Sequence, residues 1–275
     1  MTQVVTVFGG SGFVGKHVVR DLARQGWRIR VAVRNPAIAY DLKLMGDVGQ
    51  IQVVRCDVRK EADIAKALDG ASACVNLVGI LYQTLSQKFD ALHRQASAHM
   101  AQICAAKGIS AFVQMSAIGA DSKAASRYAS TKGLAEEAVR KALPGAVIVR
   151  PSIIFGAQDG FFTTLAGQMQ IFPLMPAIGG GNTKFQPVYV SDVAAAIAKT
   201  LGNAASAGHT YELGGPEVYA FKDLIQYVGQ ETLNPRPLVW FPFVAASLIG
   251  IIGDIHAGLK GILAVLPEPL LTTDQ

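Results

Sequence analysis

Cysteine is scarce in this sequence, and long apolar runs and blocks of like charge are missing. The three cysteines, Cys56, Cys74 and Cys104, form no Cys-x-x-Cys pair, and their wide spacing predicts neither a disulfide framework nor a metal site. The nearly apolar stretch 240–253 is shorter than the roughly 20 residues that span a bilayer, so it predicts a buried or amphipathic surface helix. The first residues resemble a strand rather than a signal peptide, so we expect a reducing compartment.

Charged residues make up only 16% of the chain, and its net charge is +5. The basic residues are dispersed and aromatic residues do not alternate with them, so we expect no nucleic-acid partner. His93, His99 and His256 have no acid or second histidine at metal-ligand spacing, which predicts core or surface histidines and no metal. Binding of one anionic cofactor explains part of the positive charge better than binding of a nucleic acid does.

Short apolar strands alternate with amphipathic helices from Val4 to Val149. This alternation predicts an α/β protein with a Rossmann-type doubly wound parallel sheet, covered by helices on both faces. After Arg150 and Pro151 the pattern changes, which predicts a smaller, interleaved C-terminal substrate or interaction region. The expected boundaries are 1–155 for the Rossmann domain and 156–275 for the smaller region, with 186–213 returning to the sheet.

A glycine-rich turn follows the first predicted strand directly and precedes the first predicted helix. Its glycines allow a tight turn, a close approach of backbone to a pyrophosphate, and close packing of helix on strand. The helix N-terminus adds unpaired N–H groups and the positive end of the helix dipole. The turn therefore predicts a dinucleotide site, with contacts from Gly9, Ser11, Gly12, Phe13, Val14 and Gly15.

Arg34 ends the second predicted strand, where an acidic residue usually accepts a hydrogen bond from a free ribose 2′-hydroxyl. An arginine instead offers a bidentate partner for a 2′-phosphate, so the sequence favours NADPH/NADP+ over NAD(H). Asp57 can accept a hydrogen bond from the adenine amino group. The ends of the third and fourth strands, where open sheets bind ligands, contribute five predicted contacts: Asp57, Val58, Leu77, Val78 and Gly79.

Tyr128 and Lys132 form a Tyr-x-x-x-Lys pair, which shares one face of a predicted helix. A nearby ammonium lowers the pKa of a phenol and makes its hydroxyl a usable general acid or base. Lys132 can also hold the nicotinamide ribose. Ser116, at the end of the fifth predicted strand, is positioned to orient a substrate carbonyl. These three residues are the predicted catalytic group.

The glycine turn and the Tyr-x-x-x-Lys pair, in this order, resemble the short-chain dehydrogenase/reductase family in its extended or atypical branch. The resemblance extends from Val4 to about Leu213. It implies Tyr128 as acid/base, Lys132 as its activator and a ribose ligand, and Ser116 as the group that orients the carbonyl. It also implies that Pro151 and Ile153 lie along the nicotinamide.

Four further segments resemble the dehydrogenase-like accessory subunits of respiratory complex I: 126–137, 150–156, 186–193 and 266–274. In that family bound NADPH is implied to stabilise fold and assembly rather than to turn over. The implied role is an accessory or assembly subunit on the cytoplasmic or organelle-matrix side, peripheral to the inner membrane. We expect 240–266 to dock on membrane-associated subunits.

Two other functions fit the same residues. One is an active NADP(H)-dependent oxidoreductase that uses Ser116, Tyr128 and Lys132 on a small hydrophobic or quinone-related carbonyl compound. The other is a binding module that reports the NADPH level without chemistry. The intact catalytic group favours the enzyme, but Tyr128 and Lys132 also bind the ribose, so a binding protein would retain them.

Overall fold

The computed structural model describes residues 3–241, which fold into two compact units. The first unit contains residues 3–81, Phe89–Pro151 and Val190–Leu213. The second contains Tyr82–Lys88, Ser152–Tyr189 and residues 214–241. Most of the predicted docking segment, 242–266, lies outside the described residues.

The strands and helices alternate along the chain, as Rossmann folds require. The strands are β1 Val4–Phe8, β2 Arg28–Val33, β3 Ile51–Arg55, β4 Ala73–Asn76, β5 Ala111–Met115, β6 Val147–Pro151, β7 Ile154–Phe155, β8 Met175–Ile178, β9 Lys184–Phe185, β10 Val188–Tyr189, β11 Thr210–Leu213, β12 Tyr219–Ala220 and β13 Leu238–Phe241. The α-helices are α1 Phe13–Arg24, α2 Glu61–Ala67, α3 Ala96–Ala106, α4 Arg127–Ala142, α5 Phe161–Ile171, α6 Val190–Leu201 and α7 Phe221–Glu231.

The first unit is built on a seven-stranded parallel sheet in the order β11-β6-β5-β4-β1-β2-β3. The chain builds outward from β1 in one direction and then, after β3, in the other, so the sheet is doubly wound. The predicted α/β Rossmann class is confirmed. Strand residues of this sheet such as Val5, Val7 and Val31 are fully excluded from solvent. This burial is expected of a parallel sheet that is covered on both faces.

Amphipathic helices cover the two faces of this sheet. The apolar face of α1, with Val14, Val18 and Leu22 buried, explains its position beside α6 on one face. Helices α2, α3 and α4 cover the other face, where Phe8, Met100 and other side chains form one core. Both layers bring helix N-termini and loops to the carboxyl ends of the strands, where ligands of such sheets bind.

The second unit has a core of its own between α5 and α7. Leu165 and Met169 of α5 pack there with Met175, Ile225 and Val228. Three two-stranded pairs flank this core: β7 with β10 and β8 with β13, both parallel, and β9 with β12, antiparallel.

Three local predictions need correction. The residue pattern of 88–107 predicts one long helix, but this segment contains a π-helical turn, Asp90–Gln95, before α3 begins. The sequence predicts Ser191 or Asp192 as the cap of the helix that follows β10, but α6 begins at Val190, so both residues lie in its first turn. Trp240 and Phe241, predicted to start a helix, instead belong to β13, because they pair with Ala177 and Ile178 of β8. Within residues 3–241, no helix is long and apolar enough to cross a membrane.

Candidate functional site

The glycine turn closes tightly against the end of β4. Gly9 has φ +78°, which glycine adopts without strain, and its carbonyl accepts a hydrogen bond from the Gly12 N–H at 3.0 Å. A Cβ on Gly9 would lie 3.1 Å from the Leu77 carbonyl carbon and 3.2 Å from the Val78 nitrogen. A side chain would therefore separate the turn from the loop after β4.

The start of α1 provides the anion-binding features that the sequence predicts. A Cβ on Gly15 would lie 2.6 Å from Gly10 Cα, so only glycine lets α1 begin this close to the turn. Gly12 caps α1 without a side-chain hydrogen bond, and the first turn of the helix carries no acid. Its first N–H groups therefore suit a negatively charged ligand. Ser11 and Phe13 are half-buried and Val14 is buried.

The predicted adenosine contacts lie after β2 and β3. Arg34 is exposed directly after β2. Asp57 follows β3, and the Arg59 guanidinium donates to both of its carboxylate oxygens, with Nε to Oδ1 at 2.9 Å. These hydrogen bonds lower the pKa of Asp57 to about 2, so the carboxylate is charged at neutral pH. Asp41, seven residues after Arg34, pairs with Lys16 at 3.7 Å.

A buried amide network fixes the loop after β4. Asn76 is fully buried, and its Nδ2 donates to Ser97 Oγ at 3.0 Å and to Gln114 Oε1 at 2.9 Å. Its Oδ1 accepts from the Val78 N–H at 3.0 Å. The network sets the path of Leu77, Val78 and Gly79 beneath the glycine turn. Ser97 and Gln114 are not predicted from the sequence, because they come from α3 and β5, far along the chain from Asn76.

Ser116 and Lys132 both lie at the carboxyl end of β5. Lys132 is 3% exposed, and its Nζ donates to the Met115 carbonyl at 3.4 Å, one residue before Ser116. Nζ is also 6.0 Å from the centroid of the Tyr128 ring. Ser116 is 3% exposed, and its Oγ has no hydrogen-bond partner among the described residues. A buried hydroxyl without a partner is costly unless a ligand satisfies it, which fits a binding site.

The electrostatics of Tyr128 differ from the prediction. Burial raises the pKa of the Tyr128 hydroxyl, and the Lys132 ammonium does not lower it. Burial also lowers the pKa of Lys132 to about 8, although the nearby Glu136 carboxylate raises it. At neutral pH the Tyr128 hydroxyl therefore keeps its proton and is a donor rather than a base.

Glu136, which the sequence did not predict as a site residue, lies one helical turn after Lys132 on α4. It is buried, and its carboxylate accepts two hydrogen bonds from Arg150, at 2.7 and 3.0 Å. Arg150 also reaches Glu212 of β11 at 3.4 Å. The pattern Lys-x-x-x-Glu could have indicated this group, since residues four apart share a helix face.

The two remaining predicted cofactor contacts fall in different units. Pro151 ends β6 and is buried in the first unit. Ile153 belongs to the second unit, where its carbonyl accepts from the Val188 N–H at 2.9 Å. Within residues 3–241, no cluster of His, Cys, Asp and Glu could hold a metal ion.

The sequence model of the NAD dependent epimerase/dehydratase family matches residues 5–214. The chain belongs to this family. A solved structure with the same fold, the Thermus thermophilus UDP-glucose 4-epimerase in complex with NAD, superposes on this epimerase/dehydratase family member with a TM-score of 0.68. That alignment covers 87% of this chain and 86% of the epimerase, at 19% sequence identity.

Two curated relatives are more similar to this family member in sequence than the epimerase is. The mitochondrial NADH dehydrogenase (ubiquinone) 1 alpha subcomplex subunit 9 of Arabidopsis thaliana is 39% identical over 99% of this chain and 68% of its own length. A ceramide reductase of Caulobacter vibrioides is 30% identical over 70% of this chain and 59% of its own length. Five mitochondrial relatives, all subunits of NADH dehydrogenase (ubiquinone), confirm the predicted resemblance to complex I subunits. This chain covers 63–68% of the length of each of these relatives.

Proposed function

We propose that this protein is an NADP(H)-binding accessory or assembly subunit of respiratory complex I, in which the nucleotide is structural. The observation that carries the proposal is the 39% identity with the Arabidopsis subunit along 99% of the chain. The raised pKa of Tyr128 keeps its hydroxyl protonated, so this hydroxyl can donate a hydrogen bond to a bound nucleotide.

The residues of the site fit a dinucleotide. Gly9, Gly12 and Gly15, together with the uncapped N-terminus of α1, suit a pyrophosphate. The loop of Leu77, Val78 and Gly79 would line the path toward the nicotinamide end. There Lys132 and Tyr128 would hold the ribose, and the unpartnered Ser116 hydroxyl would gain a partner. When bound, the nicotinamide supplies hydride-transfer chemistry.

Identification of the native ligand tests whether the chain holds a tightly bound nucleotide. The full chain is purified without added nucleotide, denatured, and its released ligand is identified by mass spectrometry. We expect stoichiometric NADPH or NADP+. A tagged copy should also comigrate with complex I from gently solubilised membranes. Protein that carries no dinucleotide, or that never comigrates with the complex, contradicts the respective half of the proposal.

Selectivity for NADP(H) is proposed to depend on Arg34. Arg34→Ala should weaken NADPH binding about 10- to 100-fold, as expected for a lost charge-assisted pair, and leave NADH binding almost unchanged. Arg28→Ala is the matched control, because Arg28 is an exposed arginine at the opposite end of the same strand. Both affinities are measured by titration calorimetry. Equal losses for NADPH and NADH in Arg34→Ala contradict the assignment.

Docking to membrane-associated subunits is proposed for 240–266, which begins with the exposed Trp240 of β13. Because β13 pairs with β8, a truncation should spare it and remove only the residues after Phe241. We expect the truncated protein to keep its NADPH affinity within about threefold and to lose cosedimentation with membranes that contain respiratory complex I. Full-length protein that does not sediment with such membranes contradicts docking to membrane-associated subunits.

An active NADP(H)-dependent oxidoreductase is the second candidate. The buried Ser116 and Lys132 and the half-buried Tyr128 support it, as does the similarity to the Caulobacter ceramide reductase. The Tyr128 hydroxyl, protonated at neutral pH, would donate its proton to a carbonyl oxygen during reduction. A screen of NADPH oxidation against ketones and quinones separates the candidates, with Tyr128→Phe as the inactive control. Turnover that Tyr128→Phe abolishes favours the enzyme.

A further inference from the structure

His93 is a buried imidazole at the Tyr128 end of the site. It lies in the π-helical turn Asp90–Gln95, and only 1% of the residue is exposed. Its ring stacks on Phe89 with 5.2 Å between centroids and meets the Tyr128 ring edge-on at 5.5 Å. A π-helical turn changes the helical register of its side chains and is frequent at functional sites. Here the turn places His93 against Tyr128.

The hydrogen bonds of His93 define its tautomer. Its Nε2 accepts from the Ile80 N–H at 3.1 Å, so this nitrogen carries no proton. In a neutral ring Nδ1 then carries the proton and donates to Thr131 Oγ1, at 3.1 Å. The Thr131 hydroxyl in turn donates to the Arg127 carbonyl at 2.8 Å. One side chain thus joins the loop after β4 to the first turns of α4.

The ring also lies close to Lys132. A Cβ on Gly79 would lie 3.2 Å from Lys132 Nζ and 3.9 Å from His93 Nε2, so both side chains approach Gly79 from the same side. Burial, and then the Lys132 ammonium, lowers the pKa of His93 to about 3. The imidazole therefore stays neutral at physiological pH and places no second positive charge beside Lys132.

We infer that His93 is a positioning residue of the dinucleotide site, which fixes Gly79 and Ile80 against the Tyr128–Lys132 segment of α4. The inference rests on the proposed dinucleotide binding. The basis of the inference is the position of the His93 ring between the loop after β4 and the first turns of α4, which would meet at the nicotinamide end of the site. Loss of the Ile80 hydrogen bond would free this loop, whereas the glycine turn and Arg34 would keep their positions.

Two ligands distinguish positioning from a general structural role. NADPH requires the whole site, whereas 2′,5′-ADP reports only the adenosine end. His93→Phe keeps a ring but removes both hydrogen bonds, so the Kd for NADPH should rise at least about tenfold, and that for 2′,5′-ADP should change less than about twofold. His93→Gln, whose Oε1 can accept from the Ile80 N–H, should recover NADPH affinity to within about threefold of the wild type. His99→Gln, on α3, is the matched control.

The outcomes separate this inference from the proposed function. Equal losses for both ligands in His93→Phe, or an unchanged Kd for NADPH, overturn the positioning role and leave dinucleotide binding standing. A wild-type chain that binds neither ligand overturns dinucleotide binding and this inference with it. If His93→Phe does not fold, His93→Asn replaces it, because its shorter side chain does not reach the Ile80 N–H; the same comparison then decides.

Discussion

Gly133→Ala is expected to destabilise the protein by about 3 kcal/mol or more, although alanine is ordinarily favoured over glycine inside a helix. Gly133 lies in α4, next to Lys132, and a Cβ there would lie 2.8 Å from Asp121 Cα and closer still to the Ser122 nitrogen. These are backbone atoms, which cannot rotate away. The loop 121–122 or α4 itself must shift, and a shift of α4 would move Lys132. We therefore also expect weaker NADPH binding.

The matched control for this prediction is Gly167→Ala. Gly167 is also inside a helix, α5, but a Cβ there meets no atom within 4 Å. The same substitution should then stabilise the protein by about 0.5–1 kcal/mol, because it removes backbone freedom from the unfolded chain. Urea unfolding at constant pH measures both changes. A Gly133→Ala protein as stable as the wild type would contradict the close packing of α4 on residues 121–122.

Local pattern was sufficient to predict the parts of the fold that depend on neighbouring residues. The strand, glycine turn and helix from Val4 to Arg24 follow from apolar periodicity and from glycines that no larger residue can replace. The apolar strands up to β6 likewise identified the parallel sheet. The π-helical turn was missed, because the apolar positions of 88–107 fit a continuous helix as well.

The site depends more on contacts between distant segments, which the sequence alone does not show. The hydrogen bonds of Asn76 to Ser97 and Gln114 join residues 21 and 38 positions apart. The expected lowering of the Tyr128 pKa by Lys132 was wrong for the same reason, since it considered the spacing of the two residues and not their burial. His93 had no metal-ligand spacing, so its role became visible only with the contacts to Ile80 and Thr131.

Mild acid is expected to destabilise the protein through His93. Its pKa is about 3 in the folded chain, whereas an exposed histidine in the unfolded chain titrates near 6.5. Between these values the unfolded chain binds a proton that the folded chain does not, so stability falls as the pH falls. From about pH 7.5 to about pH 5 this one residue should remove about 2 kcal/mol from the free energy of unfolding.

His93→Gln isolates this contribution, because glutamine does not titrate and can keep the hydrogen bond from Ile80. Urea unfolding at both pH values should show the wild type losing about 2 kcal/mol more than His93→Gln between them. Other groups, such as His17, whose pKa burial also lowers, are common to both proteins and cancel in the difference. His99→Gln should retain the wild-type loss. If wild type and His93→Gln lose the same stability, the His93 imidazole is not held neutral, and the tautomer that joins Ile80 to Thr131 is wrong.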